Sequence, residues 1–153
     1  MKLSLRGEYA LRALIVLGSR YGQDVVATQT ISDAQNIPKR FLEQILNDLK
    51  SGGMVESRRG VAGGYRLRRA PETITLAEVI RHIEGPLAPV SCVSERAYEA
   101  CSCPDESRCG IRSVMKEVRD AIAKILEEVT LAQMCERVRR LQSEPSNVLE
   151  YII

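Results

Sequence analysis

Two hydrophobic periods follow one another along this chain, and their order predicts most of its elements. Between Ser4 and about Tyr21, the residues Leu5, Tyr9, Ala13, Leu14 and Leu17 share one helical face, with Ser4 placed to cap the helix and Gly22-Gln23-Asp24 to end it. Val25-Val26-Ala27 predicts a short strand. Thr28 to Gln35 predicts a short helix with Ile31 and Ala34 inward, and Asn36-Ile37 makes the turn into a third helix. That helix opens at Pro38, whose missing N–H costs nothing in a first turn, and stops at Gly52-Gly53. Phe41, Leu42, Ile45, Leu46 and Leu49 mark its core face, leaving Lys39, Arg40, Gln44 and Asn47 on the open side with Glu43 beside them. The period then changes to two: Met54 to Arg58 and Tyr65 to Arg68 alternate inward and outward positions around a glycine-rich tip from Arg59 to Gly64. Helix, turn, helix, strand, tip and strand is the order of a helix-turn-helix followed by a wing.

Beyond Pro71, a helix runs from Thr73 or Thr75 to about Ile83 with Leu76, Val79, Ile80 and Ile83 apolar, and Gly85-Pro86 closes it. Residues 86–110 have no apolar period, and structureless connections of that length are usually functional or disordered. From Ile111 to Val129, three- and four-residue steps through Val114, Met115, Val118, Ala121, Ile122, Ile125 and Leu126 give a stripe wide enough to bury on a partner helix. Thr130 can cap a last helix with Leu131, Met134, Val138 and Leu141 inward, and Ser143 to Ile153 reads as a frayed or partner-packed tail. The expected class is mainly α with a small β-wing. It comprises a winged helix-turn-helix DNA-binding domain over 1–84, a cysteine-rich sensor loop over 85–110, and a dimerisation helix with a C-terminal helix over 111–153.

With 153 residues, 44% hydrophobic and 27% charged, the chain fits one domain or a small domain with an extension, and disorder is not expected. No apolar run approaches the roughly 20 residues that span a bilayer. The amino terminus lacks the apolar core and cleavage site of a secretory signal, so a cytoplasmic protein without a membrane partner is expected. The net charge of +2 conceals a division, because residues 1–70 carry 12 Lys/Arg against 6 Asp/Glu and the remainder 10 against 14. The basic half is the half with the helix and wing, as phosphate binding requires, although six excess charges are also compatible with solubility alone. A chain with no Trp and one Phe has few platforms for stacking on single strands, so duplex DNA fits better.

On an isolated helix, Lys39 and Arg40 would count as solvated charges; the wing beside them turns the reading toward DNA. Both can reach phosphate or guanine, Gln44 suits an adenine edge, and Glu43 can accept from cytosine N4 or repel mismatched phosphates. Arg58, Arg59 and Arg66 are placed to reach phosphates or a minor groove, with Gly63, Gly64 and Tyr65 completing the wing side. A rival reading is a protein-binding winged-helix module that presses the Lys39/Arg40 face on an acidic partner and has no strong salt-dependent affinity for duplex DNA.

Of five cysteines, four crowd the loop as C-x8-C-x-C-x5-C: Cys92, Cys101, Cys103 and Cys109. In a reducing compartment these are metal ligands or redox thiols rather than a disulfide framework. Soft thiolates suit iron-sulfur clusters or zinc, and a flexible loop lets spaced sulfurs converge. The C-x-C step departs from the usual zinc-knuckle spacing, and oxidation of Cys101 with Cys103 or another pair is the metal-free alternative. Cys135 reads as a small core residue and His82 as a surface or half-buried one. No C-x-x-C motif and no glycine loop in a βαβ setting are present, so an enzyme, a thiol oxidoreductase in particular, is not expected.

The segments Met1 to Leu14, Phe41 to Leu46, Ser57 to Gly60, Gly63 to Leu67 and Thr130 to Ala132 together resemble the Rrf-two family of bacterial winged-helix regulators, the BadM-, IscR-, NsrR- and CymR-like proteins, over nearly the whole chain. The resemblance implies a homodimeric transcription factor, read here as a repressor, on a roughly palindromic operator with recognition helices in successive major grooves. Relatives that sense iron-sulfur, nitric oxide or redox status carry three cysteines in this loop with a variable fourth ligand. The resemblance therefore implies a cluster, 2Fe-2S ahead of 4Fe-4S, on Cys92, Cys103 and Cys109, although the gap after Cys92 is longer than usual. Cys101 either completes the set or is a spare thiol. Glu8 stands where some relatives place a carboxylate ligand from the first helix of the other subunit, and helix-dipole compensation explains it equally well. CymR-like relatives work without a cluster, which keeps open a thiol switch, a zinc site, or a small-molecule or protein effector.

Overall fold

The computed structural model describes residues 3–144. Three helices open the chain, α1 (Leu5–Ser19), α2 (Thr28–Gln35) and α3 (Lys39–Ser51), followed by strands β1 (Val55–Arg58) and β2 (Gly64–Leu67). Then come α4 (Leu76–Glu84), α5 (Gly110–Glu128) and α6 (Leu131–Ser143), with single 3-10 turns at Pro71–Thr73, Ser91–Val93 and Glu106–Arg108. This is a winged helix-turn-helix in a mainly α chain.

The helix ends follow from local chemistry. The Ser4 hydroxyl accepts from the Gly7 N–H at 3.1 Å, and Thr75 does the same for Glu78 at 3.2 Å. Thr130 and Gln133 form a reciprocal capping box that satisfies two N–H groups at the start of α6. Asn36 closes α2 with φ +50°, a conformation its short polar side chain tolerates, and so sets the angle between α2 and α3. Pro38 stands immediately before α3, one step outside the first turn that the sequence assigned to it.

One core surrounds α1. Leu14 and Leu17 of α1, Ile31 of α2, Leu42, Leu46 and Leu49 of α3, Met54, Val55 and Leu67 of the wing, and Leu131 and Cys135 of α6 are all buried in a single cluster. Burial of each leucine contributes roughly 1.5–3 kcal/mol. Helix α6 thus returns to pack on α1, where Gly18 leaves room for the Cys135 thiol. The core assignment of Cys135 is correct.

Four apolar assignments are corrected. Leu5, Phe41 and Leu141 are 60%, 48% and 67% exposed, and Ala34 is exposed as well. Leu5 and Phe41 lie in the first turns of their helices and line a surface groove with Tyr9, while the Arg40 guanidinium lies over the Phe41 ring at 5.5 Å. Leu141 lies beyond the last core contact of α6. The strand expected at Val25-Val26-Ala27 is reduced to one antiparallel bridge, Val26 with Tyr65, because Ala27 already leads into α2.

Helix α5 has no buried residue, and Ile111, Val114, Val118 and Ile125 stand open, 38–70% exposed. Leu126, which the sequence placed in the same stripe, instead packs within the chain against Ala77, Ile80 and Leu87. No described helix is long and apolar enough to cross a membrane. The expected tail lies outside the described residues from 145 onward.

Candidate nucleic-acid interface and cysteine loop

The wing is an antiparallel pair with Val55 opposite Leu67, Glu56 opposite Arg66, Ser57 opposite Tyr65 and Arg58 opposite Gly64. Its tip turns at Gly60, φ +104°, where the Gly63 N–H donates to the Gly60 carbonyl at 3.0 Å. Gly64 lies against the Val26 carbonyl, so a Cβ there would overlap backbone. Glycine at this position lets the bridge close: Val26 N–H donates to Tyr65 O at 2.8 Å and Tyr65 N–H donates back at 2.9 Å.

Between α3 and the wing runs an open cleft of about 510 Å³. It gathers Lys39, Glu43 and Asn47 from α3 with Arg58, Arg59, Gly63, Gly64 and Tyr65 from the wing, eight of the eleven residues the sequence singled out. Arg40 and Gln44 face aside: Arg40 covers Phe41, and Gln44 lines the groove of Leu5 and Tyr9. Arg66 lies on the outer side of the wing, paired with Glu56 at 2.6 Å. The cleft also holds Thr28, Gln29, Lys50 and Ser57, which sequence reasoning missed. The Lys50 ammonium donates to the Ser57 hydroxyl at 2.7 Å, and the i+11 spacing of Lys50 from Lys39, three helical turns, could have revealed it.

Electrostatics divide the arginines. Arg58 is held by both carboxylate oxygens of Asp24 at 2.7 and 3.0 Å and donates to the Ala62 carbonyl at 2.9 Å, so it braces the wing from within. The Val25 N–H and Arg58 together hold the Asp24 carboxyl below its usual range. Tyr65 donates to Asn47 Oδ1 at 3.3 Å, and partial burial together with nearby Glu43 raises its phenol. Arg59 makes no ion pair among the described residues and lines the cleft, exposed.

The cysteine loop is fastened to α5. Arg112 donates to the Cys92 carbonyl at 3.2 Å and pairs with Glu106 at 3.0 Å, and Arg119 donates to the Val93 carbonyl at 2.6 Å. Cys92 is buried in the 3-10 turn Ser91–Val93, and Cys109 caps α5 by accepting from the Arg112 N–H at 3.4 Å. Cys103 Sγ and Cys109 Sγ are 3.6 Å apart. Interaction with the Cys103 thiol and backbone lowers the Cys101 thiol, while Cys101 and then Cys109 push Cys103 up to about 12, and burial and then Cys101 push Cys92 up.

Two thiolates on one tetrahedral ion at about 2.3 Å stand roughly 3.8 Å apart, so Cys103 and Cys109 are already at a chelating separation. Among the described residues, no three His, Cys, Asp or Glu side chains converge as a metal site. The donor set fits a soft metal centre, and full ligation requires Cys92 or Cys101 to move in. Glu8 lies exposed in the first turn of α1, with Arg12 at 3.4 Å.

The family model described as "Rrf2: Iron-dependent Transcriptional regulator" matches residues 3–137. The chain belongs to the Rrf2 family. A putative HTH-type transcriptional regulator described as rrf2-like, from Rhodobacter capsulatus, is 40% identical over 131 residues, covering 83% of this chain and 87% of its own. CymR of B. subtilis, described as its global cysteine regulator, superposes with a TM-score of 0.76 at 30% identity over 90% of this chain and 98% of that one. T. potens IscR superposes at 0.75 and 28% over 95% and 93%. This Rrf2 chain is therefore a DNA-binding transcriptional regulator of bacterial type and not an enzyme.

Proposed function

We propose that this Rrf2 regulator binds duplex operator DNA as a homodimer, through the α3–wing cleft, and that a cysteine-held iron-sulfur centre in the 85–110 loop sets its affinity. The observation that carries the DNA reading is the convergence of Lys39, Asn47, Arg59 and Tyr65 on one open cleft between α3 and the wing. In this reading Lys39, Lys50 and Arg59 contact phosphates, while Asn47 and Glu43 face base edges. Arg40 and Gln44 lie at the flank, and Arg58 shapes the wing. Gly63 and Gly64 let the wing backbone approach closely, and Arg66 contacts DNA only if it leaves Glu56.

The dimer reading rests on the exposed stripe of α5, whose Ile111, Val114, Val118 and Ile125 would each remain in water in a lone chain. A roughly palindromic operator follows from the two-fold symmetry of such a dimer. The expected sign of regulation is repression.

Cys92, Cys103 and Cys109 would hold the centre, with Cys101 or the partner subunit's Glu8 as fourth donor. A bound cluster supplies a redox-sensitive, oxygen- and nitric-oxide-labile link between sulfurs otherwise free to separate. A centre changes DNA affinity only to the extent that it prefers one arrangement of the heads, and DNA then changes its retention by the same factor. A metal-free switch is the second reading, favoured by the lowered thiol of Cys101 beside Cys103. Its oxidation would form one S–S bond, releasing two protons and two electrons to an oxidant.

The test is a salt titration of affinity for genomic DNA fragments selected by the protein. A falling log-log slope that becomes shallower in Arg59→Ala and Lys39→Ala supports the cleft. A slope unchanged by either substitution moves the interface elsewhere.

A further inference from the structure

A cavity of about 400 Å³ lies between the segment after α4, the start of the cysteine loop and one side of α5, apart from both the cleft and the sulfurs. Pro86 and Ala88 from the first and Ala123 from α5 give it an apolar lining. Eight charged side chains enter it, four of each sign.

Most of these charges answer one another. Arg81 pairs with Glu127 at 2.5 Å. Arg119, only 13% exposed, is held by Asp120, by Glu95 at 3.4 Å and by the Val93 carbonyl. Among the described residues, this leaves Arg96, Lys124 and Glu128 without an ion-pair partner. Two cations and one carboxylate around a space of this size call for the reverse pattern in a ligand: two carboxylates and one ammonium, on a short aliphatic stem.

The cavity faces mostly away from the apolar stripe. Glu127 stands nine residues after Val118, which at 3.6 residues per turn is two and a half turns, so the two lie on opposite sides of α5. Glu128, three residues after Ile125, stands at the rim between stripe and cavity, so a second copy covering Val118 and Ile125 leaves the floor at Ala123 and Glu127 free and approaches Glu128 from its other side.

We propose that the cavity binds a free acidic α-amino acid. Its carboxylates pair with Arg96 and Lys124, its ammonium pairs with Glu128, and its methylenes rest on Ala123 and Pro86. Arg96 belongs to the cysteine loop and Lys124 to α5, so the ligand cross-links loop and helix. It is a second input to the regulator, and it meets the cysteines through the loop segment between Cys92 and Cys101 that carries Arg96.

Isothermal titration of the full chain, free of DNA, with L-glutamate, L-aspartate and L-glutamine is the test. Saturable binding of one or both acidic amino acids is expected, with L-glutamine at least about tenfold weaker. Lys124→Ala and Arg96→Ala should each weaken binding by about tenfold or more, with an unchanged circular dichroism spectrum because both side chains are exposed. No binding of either acidic amino acid up to about 10 mM, equal binding of L-glutamine, or unaltered affinity in both variants would overturn the proposal.

Discussion

His82 donates from Nε2 to the carbonyl oxygen of Asp48, 2.7 Å away, and so ties α4 to the last turn of α3. Its ring also covers Gly52, where a Cβ would stand 2.9 Å from Nε2. Two residues on, Glu84 accepts from the Ser4 N–H at 3.1 Å and from its hydroxyl at 2.5 Å. Helix α4 is therefore pinned to the end of one head helix and the start of another, and its chain continues directly into the cysteine loop. In the proposed switch, a displacement of the loop would reach the cleft through these two contacts.

His82→Ala should cost about 1 kcal/mol of stability, the net worth of one such hydrogen bond, and shrink the change in DNA affinity between loaded and stripped loop. Denaturant midpoints and paired binding isotherms measure both. A response as large as that of the original protein would remove α4 from the connection.

Gly64→Ala forces a methyl group onto the Val26 carbonyl, and the bridge must open. A loss of about 1–3 kcal/mol is expected, together with weaker DNA binding because the wing loses its tie to the head. Thermal denaturation and fluorescence anisotropy read the two effects; unchanged DNA affinity would show that the wing does not contribute.

Ile125 is 61% exposed in the single chain, so Ile125→Glu leaves the protomer fold intact. In a dimer joined along α5 it buries an unpaired carboxylate, at a cost of several kcal/mol. Sedimentation should then show a monomer with an undisturbed helical spectrum, and a persistent dimer would place the interface elsewhere.

In metal-free protein, the lowered thiol of Cys101 should alkylate first near neutral pH, and Cys103, pushed up to about 12, should lag. The sign follows from the thiolate fraction, which for Cys101 grows at lower pH than for an ordinary cysteine and for Cys103 only at strongly alkaline pH. Peptide mapping after brief iodoacetamide treatment gives the order, and preferential labelling of Cys103 would contradict it.

Much of this architecture was legible because its signals are local. Ser4, Thr75, Thr130 and Gly85 mark helix ends through chemistry spanning a few residues, and the change from period three-and-four to period two located the wing. Periodicity placed Leu42, Leu46 and Leu49 correctly, yet it counted Leu5 and Phe41 as core, since it cannot register where a helix runs past its neighbours. The brace of Arg58 on Asp24 joins positions 34 apart, and a sequence presents Arg58 only as an available cation. The cavity beside Lys124 was hidden for the same reason, because its charges come from three segments that only packing brings together.

The most direct test of the central claim is an absorption spectrum, with iron and acid-labile sulfide analysis, of protein purified without oxygen. A sulfur-to-iron charge-transfer band with matching iron and sulfide, lost in Cys109→Ala, is the expected result. A colourless protein holding neither element would contradict the cluster and leave the Cys101 thiol switch as the reading to pursue.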